Sequence, residues 1–234
     1  MNTKQHLARV GAAAAISGAA TLFVATLLHP MSADPNDPAA AFAEYAADPL
    51  WVASHLGQFL GFAILGVALV ALAATMEPGS PSAWARIGVV GTAASVAMAG
   101  ALQAVDGVAL KTMVNHWMRA RGEAQARAFE AAFAVRQVEI GMASLLSVLF
   151  GLTISVFGVA MLLGRRFPSW LACLGVLGGL ATLAAGIAQA YTGFSALAMM
   201  LSMPASSVLL LWALVVGVFL WRLAPVLSDG NGAV

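Results

Sequence analysis

Long apolar stretches separated by short polar segments dominate this sequence. Crossing about 30 Å of bilayer hydrocarbon takes about 20 helical residues, and six stretches approach or exceed that length. The strict alternation of a membrane strand is absent from them, so the pattern predicts helices and not a β-barrel. The predicted fold class is all-α, an integral membrane bundle of six transmembrane helices. The spans lie near Val10–Leu28, Trp51–Met76, Ile87–Leu110, Val138–Leu163, Trp170–Tyr191 and Ser206–Leu223.

The connections between the spans predict a single transmembrane domain over residues 1–227 and a disordered tail over residues 228–234. Two connections are long, the loops 30–50 and 111–137, and both fall on the outer side of the membrane. The second is rich in Ala, Arg and Glu, so helix is expected to continue on either side of Gly122.

Several residues in these connections have simple expected roles. Phe42 and Tyr45 are expected to rest on the membrane surface, and Trp51 is expected to mark the outer interface. A further connection before the sixth span carries methionines that suit packing, an adaptable contact surface or a soft copper site. They are Met199, Met200 and Met203.

Composition and charge narrow the class of protein. Hydrophobic residues make up 61% of the chain and charged residues 9%, which excludes an ordinary soluble domain. The net charge is +1 and no basic run is long enough for a nucleic-acid partner. The short connections on one side carry most of the unbalanced Lys and Arg, so both termini are predicted to be cytoplasmic. Cys173 is the only cysteine, which excludes an internal disulfide and a thiolate metal cage.

Polar side chains that interrupt the spans gather at the outer ends. Asp106 is the strongest signal, because an acid in hydrocarbon is costly and usually has a task. With a rise of 1.5 Å per residue, Asp106 and His55 lie at similar depths and are expected to meet in a water-accessible chamber. Residues three apart share a helix face, which pairs His55 with Gln58, Gln103 with Asp106, and Arg136 with Glu139.

These residues support a membrane-embedded enzyme or cofactor site that opens outward. The catalytic candidates are Asp106 as acid or base, His55 as its partner, and Glu139 as a second contributor. A heme would lie between His29 and His55. A divalent metal would take its ligands from His29, His55, Asp106 and Glu139. The candidate orienting groups are Gln58, Gln103, Gln189 and Tyr191.

Two other classes of function fit the same pattern. A transporter or channel would build its six helices as two inverted halves. A structural subunit of a membrane complex, or a homo-oligomer, would use the polar residues for helix association alone, with Asp106 paired to Lys111 or Arg136. The expected partners are membrane lipids and, for an enzyme, a lipophilic small molecule. Whether the protein is an enzyme stays open at this point.

The layout also carries a family resemblance. The chain has 234 residues, a His29–Pro30 pair closes the first span, and the stretch RRFPSWLACLGVLGGL opens the fifth. In these features it resembles uncharacterised bacterial six-helix integral membrane families, of the domain-of-unknown-function type. The resemblance implies a location in the bacterial plasma (inner) membrane, which with the predicted orientation turns the polar cluster toward the periplasm. It implies no activity, and no catalytic residue is carried over from it.

Overall fold

The computed structural model of the protein describes residues 2–227, so the predicted tail at 228–234 lies outside the described residues. Within them, six continuous helices are long and apolar enough to cross a membrane. The predicted all-helical bundle with six candidate spans is therefore confirmed. The elements are α1 (Thr3–Leu27), α2 (Pro38–Ala47), α3 (Trp51–Ala74), α4 (Ser80–Gln103), a π-helical segment (Ala104–Leu110), α5 (Lys111–Arg119), α6 (Gly122–Leu163), α7 (Ser169–Thr192) and α8 (Ala196–Val226).

Two predicted loops are helical in the structure. The segment 111–137 forms α5 and the first part of α6, which meet near Gly122, where a φ of +57° favours glycine. The helix expected on either side of Gly122 is thus confirmed. The loop expected before the sixth span is helical instead, because α8 begins at Ala196 with its first turn capped by the Ser195 hydroxyl and Pro204 is accommodated inside the helix, as membrane helices allow. The span predicted near Ser206–Leu223 lies within this longer helix. The three methionines before Pro204 are therefore helical.

Small residues let the spans approach one another closely. A side chain on Gly61 of α3 would meet the backbone of Leu22 in α1, and a side chain on Gly151 of α6 would meet the backbone of α7. Such small-residue contacts are the usual way in which membrane helices associate. They fix α3 against α1 and α7 against α6, so the residues at the ends of these helices are held on a packed scaffold.

The two ends of the bundle have different contents. At one end the Asn2 Nδ2 donates a hydrogen bond of 2.8 Å to the Leu227 carbonyl, so the first and last described residues lie side by side. The other end, called here the loop end, holds α2, α5 and the connections before α2 and α8. There the Asn36 Nδ2 donates to the Phe194 carbonyl at 3.0 Å. The polar residues that the sequence singles out lie toward the loop end.

Candidate functional site

The centre of the site is a contact between α3 and the π-helical segment. The His55 side chain is 1% exposed, and its Nε2 lies 3.0 Å from Oδ2 of Asp106, whose side chain is 15% exposed. Gly107 lies against His55, where an added Cβ would overlap the imidazole. The missing side chain therefore permits the close approach that forms the pair. π-helical turns occur frequently at functional sites, and this one carries the acid.

A backbone carbonyl determines which nitrogen of His55 carries a hydrogen. The Nδ1 atom lies 2.6 Å from the carbonyl oxygen of Trp51, which can only accept, so Nδ1 is the donor there. The other nitrogen, Nε2, then faces a carboxylate oxygen at 3.0 Å. Two electron-rich atoms at this distance need a cation between them, either a proton or a metal ion. Metal-ligating histidines typically donate their second ring N–H to a carbonyl in this way.

His29 follows the end of α1, and its ring is also oriented by a backbone carbonyl. Its Nδ1 lies 2.7 Å from the Pro30 carbonyl, which leaves Nε2 as the free ligand atom. Its ring centroid lies 4.8 Å from that of Trp51 and 5.0 Å from that of His55. Burial and the neighbouring His55 lower the pKa of His29 below its usual value, against a smaller opposing effect of Asp106. The neutral imidazole, which is the form that binds metals, is thereby favoured.

Together these three residues form a group of metal-ligand type. One ligand atom each from His29, His55 and Asp106 lies within 4.8 Å of the others. The second carboxylate oxygen, Asp106 Oδ1, is buried and has no hydrogen-bond partner among the described residues. Two imidazoles and one carboxylate suit zinc, iron or manganese. The structure thus brings together three of the four metal-ligand candidates.

Glu139, the fourth candidate, lies outside this group. Its Oε2 accepts a hydrogen bond of 3.2 Å from Nη1 of Arg136, and the two side chains are 4% and 3% exposed. Arg136 also donates to the Pro35 carbonyl at 3.2 Å, and its guanidinium lies over the rings of Tyr45 and Phe194. The predicted pairing of Arg136 with Glu139 is confirmed. This arrangement gives Glu139 a buried cation as its partner.

The four candidate orienting residues have different environments in the structure. Gln103 Nε2 donates to Gln58 Oε1 at 3.2 Å, so these residues pair across α3 and α4. Gln189 is buried, and its Nε2 has no partner among the described residues. Tyr191 is 87% exposed, so the predicted orienting role of Tyr191 is wrong, because its side chain points away from the bundle at the end of α7.

An aromatic wall beside the site was missed in the sequence. The Trp51 Nε1 donates to the Asp106 carbonyl at 3.1 Å, and the Trp51 ring lies 4.4 Å from that of His55 and 4.1 Å from that of Tyr45. The expectation that Phe42 and Tyr45 rest on the membrane surface is wrong, because both side chains are buried in one aromatic cluster with Trp51. The available signal was spacing, since Trp51 precedes His55 by four residues on one helix face.

Lys111 holds α2 in place above the site. Its Nζ donates to the carbonyl oxygens of Tyr45, Ala46 and Asp48 at 2.5, 3.0 and 2.8 Å. These carbonyls lie at the C-terminal end of α2, where a helix leaves acceptors unpaired. Lys111 is therefore occupied by backbone atoms, and the alternative pairing of Asp106 with Lys111 or Arg136 is wrong.

The arrangement does not fit a heme between His29 and His55. An iron about 2 Å from each nitrogen would place two axial imidazoles on opposite faces of the macrocycle, with ring centroids about 6 Å apart. Here the centroids are 5.0 Å apart, and both rings contact the same indole of Trp51. The distances between these rings therefore favour a compact ion over a porphyrin between the two imidazoles.

Comparison with known proteins adds no functional assignment. No protein-family model matches the chain, and no curated protein or solved structure matches it significantly. Function is therefore argued from the chemistry of the site.

Proposed function

We propose that this protein is a multi-pass membrane protein that binds one divalent transition-metal ion through His29, His55 and Asp106. The observation that carries the proposal is the common orientation of the two imidazoles. Each Nδ1 faces a backbone carbonyl, at 2.7 Å for His29 and 2.6 Å for His55, and the ligand atoms of all three residues lie within 4.8 Å. Holding both tautomers by backbone acceptors makes Nε2 of each ring the atom that can bind an ion.

Burial makes an ion-free site costly. His55 and much of Asp106 are withdrawn from solvent, and buried polar groups destabilise a fold unless they are partnered. Asp106 Oδ1 has no partner among the described residues, so the shared proton alone leaves one carboxylate oxygen unsatisfied. A divalent ion would satisfy both imidazoles and the carboxylate together. This need supports a metal ion over a proton as the resident cation.

Three protein ligands leave coordination positions open, as in catalytic metal sites. A bound ion would supply Lewis acidity and a more acidic bound water. The chain supplies two neutral nitrogen donors, one carboxylate, and the Trp51 indole that holds the Asp106 backbone and excludes water from one side. The Asp106 side chain is 15% exposed, so the proposed site is not fully enclosed. Because the site lies at the end of an apolar bundle, the proposed activity is chemistry on a lipophilic small molecule.

The proposed location is the bacterial plasma membrane, with the loop end facing the periplasm and both termini in the cytoplasm. Support comes from the positive-inside rule. The end opposite the site carries Arg86 in the second turn of α4, and Arg165 and Arg166 in the short connection between α6 and α7. The basic residues Lys111 and Arg136 at the loop end are engaged by carbonyls and by Glu139, so they are poorly placed to contact lipid headgroups.

Metal binding by purified protein tests the proposal. Metal-stripped protein in mild detergent would be titrated with Zn²⁺, Co²⁺ and Mn²⁺ and its bound metal measured after desalting. We expect one equivalent of at least one metal, and loss of more than 100-fold in affinity in Asp106→Asn, which removes the charged ligand. His116→Gln is the matched control, because His116 is exposed on α5 and should not contribute.

The same titration separates the alternatives. If no metal binds stoichiometrically, or if Asp106→Asn and His116→Gln bind as the wild type does, the metal site is refuted. The His55–Asp106 contact would then be a proton-sharing pair that serves helix association.

A further inference from the structure

A large apolar cavity lies within the bundle, between α1, α3, α6 and α8. Its volume is about 530 Å³, within the usual range of about 300–1,000 Å³ for small-molecule sites. The buried side chains of Ile154 and Trp212 form part of its floor. The lining is almost entirely hydrocarbon, interrupted by a few Ser and Thr hydroxyls. An apolar cavity of this kind binds an apolar ligand in preference to water.

The cavity opens sideways between α1 and α8. Deeper in the bundle these two helices touch, because Gly217 of α8 lies against Ala15 of α1. Nearer the loop end the facing residues are larger, and they line the cavity without closing it. Leu27 on α1 and Met203 on α8 both line it, and they are 62% and 55% exposed. The opening therefore faces the lipid phase, and a ligand enters from the membrane.

The cavity and the proposed metal site share one segment of the chain, residues 26–31. Thr26, Leu27 and Met31 line the cavity, and His29 lies between them in sequence. The same short segment thus contributes one wall of the cavity and one ligand of the site. A molecule with its chain in the cavity would hold its polar end near His29.

We infer that the cavity binds the single hydrocarbon chain of a long-chain carboxylate whose head group reaches the open metal positions. This inference rests on the proposed function. Two neutral imidazoles, one carboxylate and a divalent ion leave the site with a net charge of +1, which attracts an anionic oxygen head. One cavity provides space for one chain, which favours a fatty-acid-like molecule over a two-chain phospholipid.

Chain binding is tested in metal-free protein, so its failure is distinguishable from failure of the metal site. The probe is cis-parinaric acid, a fluorescent fatty acid, titrated into detergent-solubilised protein and displaced with oleate. We expect one saturable site, weakened at least tenfold in Ser202→Trp, where the indole would fill the cavity that Ser202 lines. Leu177→Trp is the control, because Leu177 is exposed on α7 and does not line the cavity. Metal stoichiometry should be unchanged in both variants.

A second measurement needs no variant. A diazirine-bearing fatty acid photolysed with the wild-type protein should label peptides of α1 and α8 that line the cavity. Absence of saturable parinarate binding, equal binding in Ser202→Trp and Leu177→Trp, or labelling spread evenly over lipid-facing helices would overturn the assignment of the cavity.

The position of the head group is tested with cobalt. Oleate added to Co²⁺-loaded protein should change the visible ligand-field bands, whereas oleyl alcohol, which has the same chain and no charge, should not. If oleate binds and leaves the spectrum unchanged, the head does not reach the metal and that part of the inference is wrong.

Discussion

The buried pair of Arg136 and Glu139 offers a quantitative test of how the loop end is held. Both side chains are nearly inaccessible and 3.2 Å apart. Arg136→Met leaves the Glu139 carboxylate buried without its cation, which typically costs about 3–5 kcal/mol. It also removes two guanidinium–ring contacts, at 5.2 Å to Tyr45 and 5.1 Å to Phe194, each worth about 0.5–1 kcal/mol. We therefore expect a loss of about 4–7 kcal/mol in the free energy of unfolding.

Glu139→Gln should cost less than Arg136→Met. The amide keeps an oxygen acceptor for Arg136 and leaves no uncompensated carboxylate, so the expected loss is about 1–3 kcal/mol. In the double variant Arg136→Met/Glu139→Gln the unpaired buried charge is absent. Its loss should therefore be smaller than the sum of the two single losses by about 2 kcal/mol.

Unfolding would be measured in mixed micelles with increasing SDS, followed by circular dichroism, and bound metal would be measured on the same samples. Arg127→Met is the control, because the Arg127–Glu123 pair is exposed, at 73% and 92%, and such pairs contribute little. If Arg136→Met unfolds as Arg127→Met does, the pair is not shielded as described. If Glu139→Gln loses its metal while remaining folded, Glu139 is a ligand and the three-residue set is wrong.

Three further predictions concern the surroundings of the site. Trp51→Phe removes the indole donor that holds the π-helical segment, and it should weaken Zn²⁺ binding by about 10–100-fold at unchanged stoichiometry. Chelator competition measures the affinity, and an unchanged affinity would contradict a positioning role for Trp51. Gly107→Ala places a methyl group against the His55 imidazole and should lower the free energy of unfolding by about 1–3 kcal/mol. Gly141 has open space around it, so Gly141→Ala should not destabilise the fold. Equal SDS unfolding midpoints for the two variants would contradict the close approach of Gly107 to His55. Burial raises the pKa of Tyr45 to about 12, above its unfolded value of about 10. Its contribution to stability is therefore present below about pH 10 and is lost as the pH rises toward 12. If the SDS unfolding midpoints of the wild type and Tyr45→Phe show the same pH dependence over this window, the pKa shift is absent.

Helix register is the part of the site that sequence reasoning predicts well. His55 and Gln58 share one face of α3, and Gln103 and Asp106 share one face of the next span. The structure pairs them in order, His55 with Asp106 and Gln58 with Gln103. Two antiparallel helices with polar residues at matching intervals have little choice of partner, because each unpaired group in hydrocarbon is costly. The spacing of polar residues within each helix is therefore sufficient to predict these two pairs.

The aromatic wall depends on contacts that periodicity does not encode. Residues on α2 read as a short amphipathic helix for a membrane surface, yet Phe42 and Tyr45 are buried. What turns α2 inward is the Lys111 ammonium bound to its last carbonyls and a hydrophobic contact with α5 and α6. Both partners are more than 60 residues away in sequence, so no local pattern predicts them.

The position of His29 shows most clearly why the metal set could be listed from sequence but not assembled. His29 lies at the start of a connection whose backbone is held by side chains of other helices. The Glu44 carboxylate accepts hydrogen bonds from the backbone N–H groups of Ser32 and Ala33 at 2.9 and 3.0 Å, and Arg136 holds the carbonyl of the following Pro35. Fixing this segment by such long-range bonds costs conformational entropy. The segment itself is not part of a membrane-spanning helix. It does place an imidazole beside His55 with its tautomer already set. A pre-organised ligand loses little further entropy on binding, so the outer contacts of this loop belong to the physical basis of the proposed metal site as much as its three ligands do.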